Sequence, residues 1–346
     1  MPELSPSETM ARLERLIRSR SKHDPLVALI VDSPWLPGFA GVDTLDFYFD
    51  SRTWLEAYEA AHRELPGAAL VPGAWVELGM AAEPSGFGVG ICWSHEAPPQ
   101  MRPRERALEF LPEADPPDPE RDGLMPVILR QYERLTPELA RRGFPPRIAA
   151  ARGPLAVAAH VAGLTEFLTA IKLWPEKSLT LVEKTTELCI RWLASQLQRM
   201  TDPLAILVLD DVVGLMSPQD AARFAFPPLE RIFGSFPRLL HFFHDDSPNP
   251  AVFPGLAGVG IDVFNFTHEV AIEEARELLG PDVVLMGNLA PLDLLVRGTA
   301  EEVRRSTEQL LAKAERYGPL LISAGGGVSP GTPVANLKAM LEVVQA

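Results

Sequence analysis

The feature that most constrains this chain is an alternation. Short, continuous apolar runs recur along it, and each is followed by a stretch with helical spacing. The clearest runs are LVALIVD (26–32), LAILVLDD (204–211), RLLHFFHDD (238–246), DVFNF (262–266), VVLMGNL (283–289) and PLLISAGGG (319–327). Runs that are apolar throughout suit parallel strands covered on both faces. Helices are predicted over 6–20, 51–64, 122–141, 161–172, 175–200, 217–234, 269–279, 299–316 and 333–345, with Ser7 expected to cap the first. RIAAARGPLAVAA (147–159) reads as a strand and loop, and ALVPGAW (69–75) and GFGVGICW (86–93) as extended stretches. Repeated βα units leave a doubly wound open sheet or a (β/α)8 barrel. No G-x-G-x-x-G follows the first strand, and Gly325–Gly327 precede SPGTP near the C-terminus, a poor nucleotide fingerprint. The expectation is therefore an α/β fold: a single (β/α)8 TIM barrel over residues 1–346, with 1–25 as an N-terminal helical extension. At roughly 150 residues per domain the length alone would suggest two, but such barrels run longer as one.

Charge narrows the partners. With 32 Lys+Arg against 46 Asp+Glu the net charge is −14, which argues against nucleic-acid and anionic-membrane surfaces. No apolar run approaches the roughly 20 residues of a membrane span, and the N-terminus lacks a secretory pattern. Cys92 and Cys189 make no C-x-x-C, which fits a reducing compartment. A cytoplasmic protein is expected.

A barrel places function at the C-terminal ends of its strands. Those ends carry Asp32, Asp210, Asp211, His244, Asp246, Asn265, Asn288 and Gly325–Gly327. Asp and Asn also cap helices, and that alternative stays open for each. Side chains alternate along a strand, so His244 and Asp246 share one face. His-x-Asp can present two metal ligands, or an imidazole oriented by a carboxylate. Glu77 is a further carboxylate in an apolar segment, and His268 reads as a helix-start residue. The chain has no G-x-S-x-G, P-loop or H-E-x-x-H, so covalent hydrolase and NTPase chemistry lack support.

The order of motifs resembles the uroporphyrinogen decarboxylase superfamily. The likeness runs through RGPLAVAAHVAGLTEFL (152–168), LVLDDVVGLMSP (207–218), His244-x-Asp246, MGNLAPLDLLVRGTAEEV (286–303) and ISAGGGVSPGTPVANLKAM (322–340). ELGMAAEPSGFG (77–88) is similar to the methyltransferase branch. The implied fold is again a (β/α)8 barrel. The tetrapyrrole decarboxylases carry N-terminal arginines, whereas residues 32–50 here hold none, and a His stands in them where this chain has Gly325–Gly327. A multiply anionic porphyrinogen would lack arginine partners. The methyltransferase branch holds zinc by His-x-Cys plus a distant Cys. Here His244 matches the His, while Asp246 and Gly326 stand at the two Cys positions.

The resemblance thus implies a methyltransferase moving a methyl group between a small methylated substrate, such as a methyl ether, and a cobamide. The corrinoid-binding D-x-H-x-x-G is absent, the nearest run being Ala158–Gly163, so the cobamide is expected on a separate corrinoid protein. The alternative is a decarboxylase acting on a tetrapyrrole or a smaller acid, and a non-catalytic ligand-binding barrel is the third reading. Asp210, Asp211, His244 and Asp246 are the expected catalytic residues, and Asn265, Asn288 and Gly326 the expected substrate contacts. His244, Asp246 and Glu77 are the expected ligands if zinc is present. The loops at 33–42 and 247–260, with Trp35 and Phe253, are expected to form an apolar rim for the partner. A homodimer is left open.

Overall fold

The computed structural model describes residues 4–346; the first three residues of the expected N-terminal extension lie outside the described residues. Eight parallel strands form the barrel: β1 (Leu26–Ile30), β2 (Ala69–Val71), β3 (Ile148–Arg152), β4 (Ala205–Leu209), β5 (Leu240–Asp245), β6 (Val263–Phe266), β7 (Val284–Leu289) and β8 (Leu320–Ala324). Their spatial order is β2-β1-β8-β7-β6-β5-β4-β3, so the hydrogen-bonded ring is complete except between β2 and β3. Every residue of β1, β3, β4, β5, β6 and β8 is buried, as the unbroken apolar runs require. The chain is a (β/α)8 TIM barrel.

The helix Pro6–Ser19 starts where expected, but its cap is different. Ser5, not Ser7, is its cap, in a reciprocal pair with Glu8. Its Leu13, Leu16 and Ile17 join the common core. Asp50 caps Ser51–Glu64, and Thr299 with Glu302 caps Ala300–Tyr317.

Three expectations need correction. Residues 154–162 form a helix rather than a loop. It is apolar almost all round and buried along most of its length, so it shows no polar face to reveal its period. The stretch 217–234 is two helices, Pro218–Phe224 and Phe226–Gly234. Pro227 and Pro228 cannot continue a helix but can begin one, and the break falls just before them. Finally, within 86–93 only Gly90–Cys92 is a strand, paired antiparallel with Gln100–Arg102 outside the barrel.

No single helix among the described residues is long and apolar enough to cross a membrane. The pair Pro154–Ala162 and Leu164–Leu173 passes that test only jointly, and it is bent by 105°.

Candidate functional site

His244 sits near the end of β5, in register with Asn265 on β6. Its Nδ1 lies 2.7 Å from Asn265 Oδ1. The Asn265 amide nitrogen donates to Met286 O at 2.9 Å and Ala324 O at 3.2 Å. Both are carbonyls, so Oδ1 must face His244, and the imidazole proton belongs on Nδ1. That leaves Nε2 directed at Asp211 Oδ1, 3.4 Å away. The Asp246 amide also donates to Asp211 Oδ1, at 3.3 Å. Asp211, His244 and Asp246 each offer one ligand atom, and these atoms lie within 4.8 Å of one another. Two carboxylates and an imidazole lone pair so arranged can share a cation, either a proton or a metal. Burial disfavours the His244 imidazolium, but Asp211, Asp246 and the Asn265 hydrogen bond outweigh it and raise its pKa. Burial also raises the Asp246 carboxyl, against the pull of His244.

The loop after β8 closes over this group. Gly326 has φ +125°, and a Cβ there would stand 2.8 Å from Asp246 Oδ2.

The other strand-end residues divide. Asp210 turns away from His244: its Oδ2 accepts from Leu155 N at 2.9 Å, at the start of the helix Pro154–Ala162. Burial drives its carboxyl up to about 8, against the Leu155 bond. Asn288 donates to Thr267 O and Val270 O, tying down the loop after β6. Glu77 is not in the Asp211–His244–Asp246 group. Its oxygens accept from Ser33 N at 2.6 Å and Gly79 N at 3.0 Å. It lies beside Asp32, and both carboxyls are buried; desolvation first and then their mutual repulsion raise Glu77. The expected apolar rim is also corrected. Trp35 is 1% exposed and Phe253 0%. Trp35 donates to Thr332 O and stacks on Phe39, and Phe253 packs edge-on against Phe264, so neither ring faces a partner.

A cavity of about 330 Å³ opens beside the group, bounded by Asp211, Arg152, His160, Met80, Met101 and Val212. Burial pushes the His160 imidazole down to about 4, so it is neutral there. Arg152, at the end of β3, was not singled out by sequence reasoning. The only signal was a lone cation closing an alanine run, AAAR, just before Gly153. A larger groove of about 660 Å³, bounded by Arg106, Glu166, Trp174 and Lys177 among others, includes none of the strand-end residues.

Among known proteins, the chain is similar to a methylated-thiol–coenzyme M methyltransferase of Methanosarcina mazei, 27% identical over 84% of this chain and 76% of that one. It is likewise similar to the uroporphyrinogen decarboxylase of Carboxydothermus hydrogenoformans, 26% identical over 75% of this chain and 74% of that protein. Among solved structures, a methyltransferase from Methanosarcina mazei superposes with a TM-score of 0.80 at 17% identity, covering 97% of this chain and 98% of that one, which supports the barrel fold. The model of the family described as uroporphyrinogen decarboxylase (URO-D) matches residues 38–346, nearly the whole barrel, and the chain belongs to that family.

Proposed function

We propose that the protein is a cytoplasmic methyltransferase. It moves a methyl group between a small methylated substrate and a cobamide carried by a separate corrinoid protein. Asp211, His244 and Asp246 hold a divalent metal of the zinc class. The observation that carries this reading is the convergence of those three ligand atoms at the C-terminal mouth of the barrel. Similarity to a methyltransferase over most of both chains supports it.

The donor set fits such a metal: one imidazole and two carboxylates would hold it. It is a harder set than a thiolate pair, and suits an oxygen-bearing substrate better than a thiol. A bound metal would supply Lewis-acid polarisation of the heteroatom that carries or receives the methyl group. The chain's own residues do the rest. Asn265 holds the His244 ring and keeps its proton on Nδ1. Asp210 anchors the helix start at Leu155, and so positions the cavity wall formed by Ala156 and Ala159.

Relatives named uroporphyrinogen decarboxylase make a carboxy-lyase the second reading, and the buried Arg152 guanidinium is the observation in its favour. The test has two parts. Elemental analysis of protein purified without chelator should find equimolar metal, lost in His244→Ala; equal metal in both removes His244 as a ligand. Incubation with cob(I)alamin and candidate methyl ethers should convert the corrinoid spectrum to the methylated form. Release of carbon dioxide from a test acid, without corrinoid methylation, would establish the second reading instead.

A further inference from the structure

We infer that Arg152 binds the carboxylate of a small organic acid in the cavity that ends at Asp211. Arg152 is 7% exposed. Its backbone N–H donates to Glu83 Oε1 at 2.8 Å, but among the described residues its guanidinium makes no hydrogen bond or ion pair. The Nε atom is enclosed with no acceptor at all. A guanidinium stays charged at any working pH. A buried, unpaired charge is costly to hold, which points to an anion that completes it.

Nearby carboxylates do not fill that role. Glu83 Oε1 takes the Arg152 backbone N–H, and both Glu77 oxygens take amides of Ser33 and Gly79. Asp32 makes no ion pair with Arg152 within 4.0 Å. The guanidinium lies instead over the Trp75 ring, whose centroid is 5.3 Å from Arg152 Cζ. A guanidinium without a protein acceptor keeps its N–H edge for a ligand, the edge that a planar carboxylate accepts in two parallel hydrogen bonds.

The cavity decides the rest of the ligand. At about 330 Å³ it takes a small molecule, and Met80, Met101, Leu209 and Val212 make most of its wall apolar. His160 in that wall is neutral and does not compete for the anion. The charge must be single. Asp211 lines the same cavity, and a second negative charge would meet it. An acid anchored at Arg152 extends toward Asp211, which lines the same cavity. On the proposed methyl-transfer reading, on which this last step rests, the carboxylate is the handle and the methyl-bearing end lies by Asp211, His244 and Asp246.

Calorimetric titration of the full chain with benzoate, its neutral isostere benzamide and inorganic phosphate tests the site. Wild-type protein should bind benzoate roughly tenfold more tightly than benzamide, and phosphate no better than benzamide. Arg152→Gln should erase the acid-over-amide preference without lowering the thermal midpoint, and Arg152→Lys should keep part of it. Equal binding of acid and amide by wild type overturns the inference, whatever the variants do. So does a preference that survives in Arg152→Gln, or phosphate binding that matches benzoate. The titration needs neither metal nor corrinoid. A benzoate preference without methyl transfer would therefore sink the functional reading alone. Methyl transfer without the preference would sink this inference alone.

Discussion

His244 and Asn265 face each other across β5 and β6, and one hydrogen bond of 2.7 Å between them decides which imidazole nitrogen reaches the barrel mouth. Asn265 can play that part because its amide nitrogen is spent on carbonyls of β7 and β8, so three neighbouring strands orient one ring. Replacing Asn265 with Ala should leave two buried carbonyls without their donor and the ring free to turn. Metal affinity should fall about 10- to 100-fold, as for other outer partners of a ligating histidine, and stability by about 1–3 kcal/mol. Competitive chelator titration beside urea unfolding checks both. Unchanged metal affinity in a folded variant would show that the ring needs no such support.

Asp211 and Glu77 are to be separated by substitution. Asp211→Asn keeps the size but weakens a ligand, and should reduce bound metal at least as severely as Asn265→Ala. Glu77→Gln should retain metal, because its oxygens serve Ser33 and Gly79 and not the His244 group. Elemental analysis of both proteins decides the matter, and metal loss confined to Glu77→Gln would reverse the assignment.

The barrel is legible because fully buried parallel strands write themselves as unbroken apolar runs, most of them ending in a polar residue. His244 and Asp246 could be paired from strand parity alone. Their third companion could not be chosen. Asp210 and Asp211 are adjacent, and only the approach of the helix at Leu155 shows that the first is taken by a backbone amide. Glu77 read as a free carboxylate because local sequence does not reveal that the chain folds Ser33 back against it. Trp35 and Phe253 read as surface anchors because Gly- and Pro-rich loops suggest exposure, whereas both rings are packed inward. Arg152 stayed hidden for a different reason. A lone arginine at a strand end has no pattern, and its lack of a partner is a property of three-dimensional packing.

Gly153 should tolerate no side chain. A Cβ there would lie 2.3 Å from Asp210 Oδ2 and 2.4 Å from Asp210 Cβ, so the helix start could not approach β4 as closely. Gly153→Ala should cost about 1–3 kcal/mol, the range for overpacking a well-filled interior. Chemical denaturation measures it, and a variant as stable as wild type would mean that Asp210 moves aside freely.

His62 predicts an acid-side loss of stability. Burial pushes its imidazole down to about 4 from 6.5, its Nε2 has no partner, and it packs against Phe144 at 4.8 Å. Between those two values the unfolded chain binds a proton that the folded chain does not, so stability rises with pH. The contribution is complete above pH 6.5 and is lost as pH falls toward 4. At pH 5 the loss is on the order of 2 kcal/mol. His62→Phe should be more stable than wild type at pH 5 and close to it at pH 8, as read by thermal unfolding. A difference independent of pH would assign the effect to packing alone.

Gly326 is the position where the proposed metal group and the backbone constrain each other. At φ +125° an L-residue is strained, and its Cβ would stand 2.8 Å from Asp246 Oδ2. Gly326→Ala can settle only by moving its loop or by turning the Asp246 carboxylate away from His244. The first costs stability; the second costs metal. Because Asp246 is the more exposed of the two acids and the loop after β8 is held by the Gly325 amide on Leu289 O at 2.8 Å, the carboxylate should yield first. The expected result is a loss of metal affinity of roughly tenfold or more with a small change in unfolding midpoint, measured on one preparation. A large drop in the midpoint with metal affinity intact would show that the loop gives way and that Asp246 keeps its place.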